Sequence, residues 1–305
     1  MTNRRASPWV ALAASFVLAV ATTGGCSSDG RPGVAGSPGT AEATTTVTTG
    51  ASSDTSTTSG GVATRPVPSL GSPSGPSEQP PGASPAAEAA RATVAAPAGP
   101  GSYATRYLRG DGPARITIAA LVQRDAAPQA GTLEHIKQAL AEASGKQVDI
   151  STTTLDDAAP RWTEASLESE VDRSAPKQTG DVAILSLLFV SGDFRGDSSV
   201  LGVATRGDFA AIFVDQVRSS AGLFGAVGPI ERSVSTHEVG HILGLVDLVL
   251  QTGRGDPAHQ GHSTNRASVM YWAVESDLIG QLFGSQPPTE FDAADQADLA
   301  ALRAR

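Results

Sequence analysis

Five residues, His237-Glu238-Val239-Gly240-His241, constrain this chain more than any other stretch, because their chemistry requires a helix. Residues four apart on a helix lie on the same face, so both imidazoles can meet one metal ion. Glu238 then stands beside the ion's open position, where a carboxylate can accept a proton from an attacking water. The helix should start near Pro229, a residue suited to a first helical turn. It should stop at Gly244, where glycine can take the left-handed conformation that redirects a chain. A second feature, Ser268-Val269-Met270-Tyr271, lies downstream, and the pair is far more specific than either half alone.

Composition confines the fold to the later part of the chain. From Ser27 to about Gly101 the residues are Ser, Thr, Gly, Pro and Ala, with runs such as Thr44-Thr45-Thr46 and Pro80-Pro81-Gly82. Such a stretch cannot bury enough apolar surface to offset its conformational entropy, so residues 26–102 are expected to be a disordered tether. Before it, Arg4 and Arg5 precede an uncharged apolar run from Trp9 to Ala21, too short to span a bilayer comfortably and typical of an export signal over residues 1–25. The single cysteine, Cys26, follows Thr23-Gly24-Gly25. That arrangement resembles a bacterial lipobox, with Thr23 where a leucine-like residue is preferred; cleavage after Ala21 and plain secretion is the alternative. Membrane contact is therefore expected only through a lipid on Cys26. One cysteine excludes an intrachain disulfide, and a net charge of −9 argues against nucleic acid and anionic lipid as partners. One domain remains, residues 103–305, about two hundred residues, enough for a sizeable core and expected to be a monomer.

Within that domain the pattern alternates between periods. Arg115 to Val122, Gln147 to Thr153 and the almost unbroken apolar run Asp181 to Val190 read as strands, the last covered on both faces. Gly202 to Arg206 and Phe209 to Val214 read as two more, joined by a Gly207-Asp208 turn. Thr132 can cap a helix ending at Gly145, a shorter helix fits Trp162 to Val171, and residues 289–292 cap a final one. The order gives an α/β (α+β) domain: a twisted mixed sheet of about five strands, a motif helix and a C-terminal helix.

Two histidines do not close a catalytic zinc site, which has three protein ligands and a water. Asp247, just past the Gly244 turn, and His262, further on, are both competent as the third; His259 is a weaker candidate.

With Gly244 and Met270 in place, the chain resembles the metzincin clan of zinc endopeptidases, nearest to its matrixin-like and archaemetzincin-like members. The likeness spans roughly residues 115–305 and is strong only from Thr236 to Trp272. It implies one Zn²⁺ on His237 and His241, Glu238 as general base, Gly244 as the helix-ending turn, and Met270 as a Met-turn that packs beneath the metal without binding it. The clan's third histidine follows the glycine by three residues, where this chain has Asp247. It also precedes the Met-turn methionine by eight, where this chain has His262. An insertion over residues 248–261 reconciles the two spacings and favours His262, leaving Asp247 as a capping or supporting residue; Asp247 as ligand is the alternative. Tyr271 follows Met270 directly, one position short of the tyrosine some metzincins use, so that role is not carried over.

The remaining candidates read plainly. His135 is expected at the surface, Glu164 to Asp172 as a solvated helix face, and the loop with Asp193 and Asp197 as solvated, with Ca²⁺ a lesser possibility. The sequence thus describes an exported, surface-tethered or secreted zinc endopeptidase acting on protein or peptide. An extended substrate would pair along Gly202 to Ile212, and specificity would come from the segment after Met270. The rival is a non-catalytic, zinc-stabilised binding module of the same fold.

Overall fold

The computed structural model of the chain describes residues 97–156, 159–222 and 226–305. The expected signal segment, Cys26 and nearly all of the expected tether lie outside these residues. Five strands form the main sheet: β1 (Arg115–Gln123), β2 (Gln147–Leu155), β4 (Val182–Val190), β6 (Gly202–Arg206) and β7 (Phe209–Phe213). Their order is β2-β1-β4-β7-β6, all parallel except β6, which runs antiparallel to β7 at one edge. Successive strand residues face opposite sides. Leu185, Leu187 and Phe189 of β4 therefore enter one core while Leu188 and Val190 enter another. A strand dry on both faces belongs in the middle of a sheet, and β4 is there.

Helices α2 (Thr132–Ser144) and α5 (Val227–Ile242) supply the first core, with Ile136 and Leu140 from one and Ile230, Val234, Val239 and Ile242 from the other. The second core takes Leu167 and Val171 of α3 (Glu164–Ser174), together with Trp162 and Phe194. Those two residues belong to β3 (Arg161–Trp162) and β5 (Asp193–Phe194), a small parallel pair. Short helices α1 (Ala104–Leu108), α4 (Val214–Ser220) and α6 (Ile279–Phe283), a 3₁₀ turn over Trp272–Glu275 and α7 (Ala293–Arg303) complete the described elements. Asp292 caps α7 by accepting from the Ala294 and Asp295 amides, and Leu299 and Leu302 lock it onto the first core.

Several local expectations shift. The short helix begins two residues late because Trp162 is spent on β3 and Thr163 makes the cap, exchanging hydrogen bonds with Ser166. Gly131, not Thr132, caps α2, and Thr132 is fully buried as its first residue. The face from Glu164 to Asp172 is not simply solvated: Glu170 is buried against Arg173 and Ser174, and Asp172 pairs with Arg206 of β6. His135 is not a surface residue either, since its Nε2 lies 3.0 Å from the Thr289 carbonyl and ties α2 to the approach of α7.

Candidate metal centre

Helix α5 is buried on nearly every side from Ile230 to Ile242, a wedge between the sheet and the C-terminal segment. Small residues make that possible. A Cβ at Gly202 of β6 would stand 2.7 Å from Glu238 Oε1, and one at Gly240 would overlap the Met270 sulfur. The helix ends as its sequence demands: Gly244 is left-handed (φ 80°), its N–H donates to His241 O (3.1 Å), and the Leu245 N–H reaches Gly240 O (3.1 Å). These are the paired bonds of a Schellman turn.

Beyond the turn, Val246 and Asp247 are also left-handed, at φ 51° and 64°. This is an uncommon conformation for a β-branched residue. The Asp247 carboxylate compensates by accepting from the amides of Thr252 (2.6 Å), Gly253 (3.0 Å) and Gly255 (2.8 Å) and from Thr252 Oγ1 (3.0 Å). The loop 248–261 thus hangs on Asp247, whose side chain stays with its loop. His262 is returned by the loop's far end, where the Asp256 amide donates to His262 O and the Ser263 amide to Met270 O. The Met-turn is itself anchored: Ser268 Oγ accepts from the Met270 amide (3.0 Å) and donates to Asp295 Oδ2 of α7 (3.2 Å). Arg254 from the loop binds Asp295 and Asp298, clamping the same corner.

Four side chains converge here: His237, His241, His262 and Glu275, with donor atoms all within 4.8 Å of one another. His237 Nδ1 lies 2.7 Å from Val269 O, a group that only accepts, so Nδ1 carries the proton and Nε2 presents its lone pair. That Nε2 is 3.0 Å from His241 Nε2. His262 stacks on His237 with ring centres 5.1 Å apart. Glu275 spans two of the rings, Oε1 3.1 Å from His262 Nε2 and Oε2 3.6 Å from His237 Nε2. In a tetrahedral zinc site with ordinary Zn–N bonds the donor atoms sit about 3.4 Å apart. Three converging imidazoles and one carboxylate fit such an ion.

The electrostatics divide that donor set: burial works against charge on His262, but Glu275 outweighs it and raises the imidazole above the usual histidine range, so this ring must shed a proton to bind a metal. Burial, then the neighbouring His237 and His262, hold His241 well below the usual histidine range, so it is the neutral ligand form. Burial opposes charge on Glu275, yet His262 and His237 outweigh it and keep the carboxyl well below its usual range. Glu238 is pushed the other way, by burial first and Glu275 second, well above the usual range. Both Glu238 oxygens are buried, and the Ala204 amide is the one group that favours their charge.

The sequence-derived candidates sort accordingly. His237, His241 and His262 come together, with Glu238 beside the first and Met270 buried beneath α5. Asp247 stands outside the group. His259 also stays out, stacked on Trp272 (ring centres 4.5 Å, 8°) and paired with Asp256. Asp193 and Asp197 cap their own loop, accepting from Gly196 N and from Ser199 respectively. Glu275 is the participant that sequence reasoning did not find. It lies five residues after Met270 with no spacing rule to mark it, and what brings it in is a pairing across the cleft. The Leu201 amide donates to Glu275 O and the Asp277 amide to Ser199 O, both 2.9 Å, beside a Val200–Ser276 bridge.

No family model and no curated protein matches the chain. Solved structures do. An archaemetzincin from Methanopyrus kandleri is 18% identical, covering 63% of this chain and 97% of its own, with a TM-score of 0.43. An archaemetzincin from Archaeoglobus fulgidus complexed with malonate is 14% identical over 62% and 99%, TM-score 0.33. A zinc-dependent peptidase from Methanocorpusculum labreanum is 13% identical over 60% and 99%, TM-score 0.38.

Proposed function

We propose that the chain is a zinc-dependent endopeptidase acting on protein or peptide substrates. One observation carries the reading: Glu238 is fully buried on the helix turn between His237 and His241, against the charge of Glu275 and with one amide, that of Ala204, to steady its own. A buried carboxylate with so little compensation is costly and is retained where chemistry uses it. His237, His241 and His262 hold the ion through ring nitrogens, with Val269 O fixing the His237 tautomer. Zinc, when bound, polarises a carbonyl and lowers the pKa of water. Glu238 accepts the proton of the attacking water, an uptake favoured by its raised affinity for protons, and returns it to the leaving amine. Strand β6 has a neighbour on one side only, so its other edge can pair with an extended peptide.

Glu238→Gln tests this directly. The variant should keep its zinc and lose about 10² to 10⁴ in peptide hydrolysis; near wild-type turnover in the zinc-loaded variant refutes the mechanism. The fourth donor, Glu275, favours a second reading, a non-catalytic centre closed by four protein ligands. That reading predicts a stable zinc protein without hydrolysis and leaves the buried Glu238 unused. Surface tethering through Cys26 belongs to the same proposal, and Cys26→Ala should move the protein from the membrane fraction to the soluble one.

A further inference from the structure

We infer that Glu275 is a fourth, exchangeable protein donor: its carboxylate closes the centre in the resting chain and yields its place to the substrate. This rests on the zinc reading above. Its two oxygens face the ring nitrogens of His262 and His237 that would hold the ion, at 3.1 and 3.6 Å. Its backbone cannot drift, because residues 275–277 are bonded to 199–201 at the entry to β6. The side chain can move. It is 33% exposed, against 0% for His237 and 12% for His262, so rotation about its own bonds can carry the carboxylate into solvent without moving any strand. A catalytic zinc site needs an open position, whereas four protein donors make a closed one; Glu275 is the member of the four able to switch between the two. Its location adds a coupling. The residues that anchor it lead straight into Gly202, which packs on Glu238, so a peptide pairing with β6 arrives next to both carboxylates.

The test uses the full chain loaded with cobalt(II) or zinc, as wild type, Glu275→Ala and the near-isosteric Glu275→Gln. Visible spectra of the cobalt forms are taken with and without acetate, and zinc affinity is measured by chelator competition. Both variants should hold zinc at least about tenfold more weakly and show an altered cobalt spectrum. Acetate should restore the wild-type spectrum in Glu275→Ala and leave the wild type unchanged. Peptide hydrolysis per bound zinc should rise in Glu275→Ala. Identical spectra and affinities across the three proteins, an acetate response in the wild type, or reduced turnover per zinc in Glu275→Ala overturns the proposal. So does loss of all cobalt binding in both variants, since three histidines should still hold the ion. The metal readouts do not depend on turnover. If they come out as expected and no form cleaves peptide, the endopeptidase reading fails while the role of Glu275 stands.

Discussion

Gly202→Ala probes how closely the edge strand and Glu238, the general base we propose, are fitted. The new Cβ would lie 2.7 Å from Glu238 Oε1, 2.9 Å from Glu238 Cγ and 2.8 Å from Val234 Cγ1. Ordinary contact begins at 3.4 Å, so Glu238 must retreat by about 0.7 Å or β6 must lift by as much. Overpacking of this kind costs about 1–3 kcal/mol of stability, and displacing a reacting group by about an ångström costs on the order of 10² in rate. The histidines are untouched, so zinc content should stay at the wild-type level. The assay is peptide hydrolysis with zinc stoichiometry and a thermal melt on the same preparation. The loss should fall mainly on kcat, because the displaced group acts in the chemical step. Wild-type kcat in a zinc-replete Gly202→Ala protein, or a loss explained by missing zinc, refutes the fit between β6 and Glu238.

Other substitutions separate the loop from the centre. His262→Ala should lose zinc severely in chelator competition, whereas Asp247→Asn, which only loosens the loop, should cost about 10- to 100-fold; the reverse order makes Asp247 the ligand. Burial alone would raise the Asp247 pKa, but the Gly255, Thr252 and Gly253 amides and the Thr252 hydroxyl lower it overall. Its contribution to stability is therefore complete above the unfolded value, about 4, and disappears as pH falls through the lower folded value. Melting temperature plotted against pH should lose that acid-side dependence in Asp247→Asn. Arg254→Ala leaves Asp295, fully buried, and Asp298 without their cation, which should cost about 3 kcal/mol in denaturant unfolding; a change below a few tenths refutes the clamp.

The parts legible from sequence alone are those set by local periodicity. The spacing of His237 and His241 requires a helix with Glu238 between them. Gly244 ends it through φ, and the unbroken apolar run of β4 can exist only at the middle of a sheet. Each of these depends on bonds within a turn or on the faces of one strand, which the sequence states directly. The elements it missed are the two-residue strands β3 and β5, too short for any period, and the short helices α1, α4 and α6, of which α4 starts where β7 stops. The choice between Asp247 and His262 was open because both spacings are chemically sound. Tertiary structure separates them, since three loop amides claim the Asp247 carboxylate while the Ser263–Met270 pairing carries His262 back to the cluster. Glu275 and Gly202 were invisible for the same reason. Their roles arise where residues 275–277 pair with 199–201 and where α5 presses on β6, contacts between distant segments that no residue's neighbours in the chain encode.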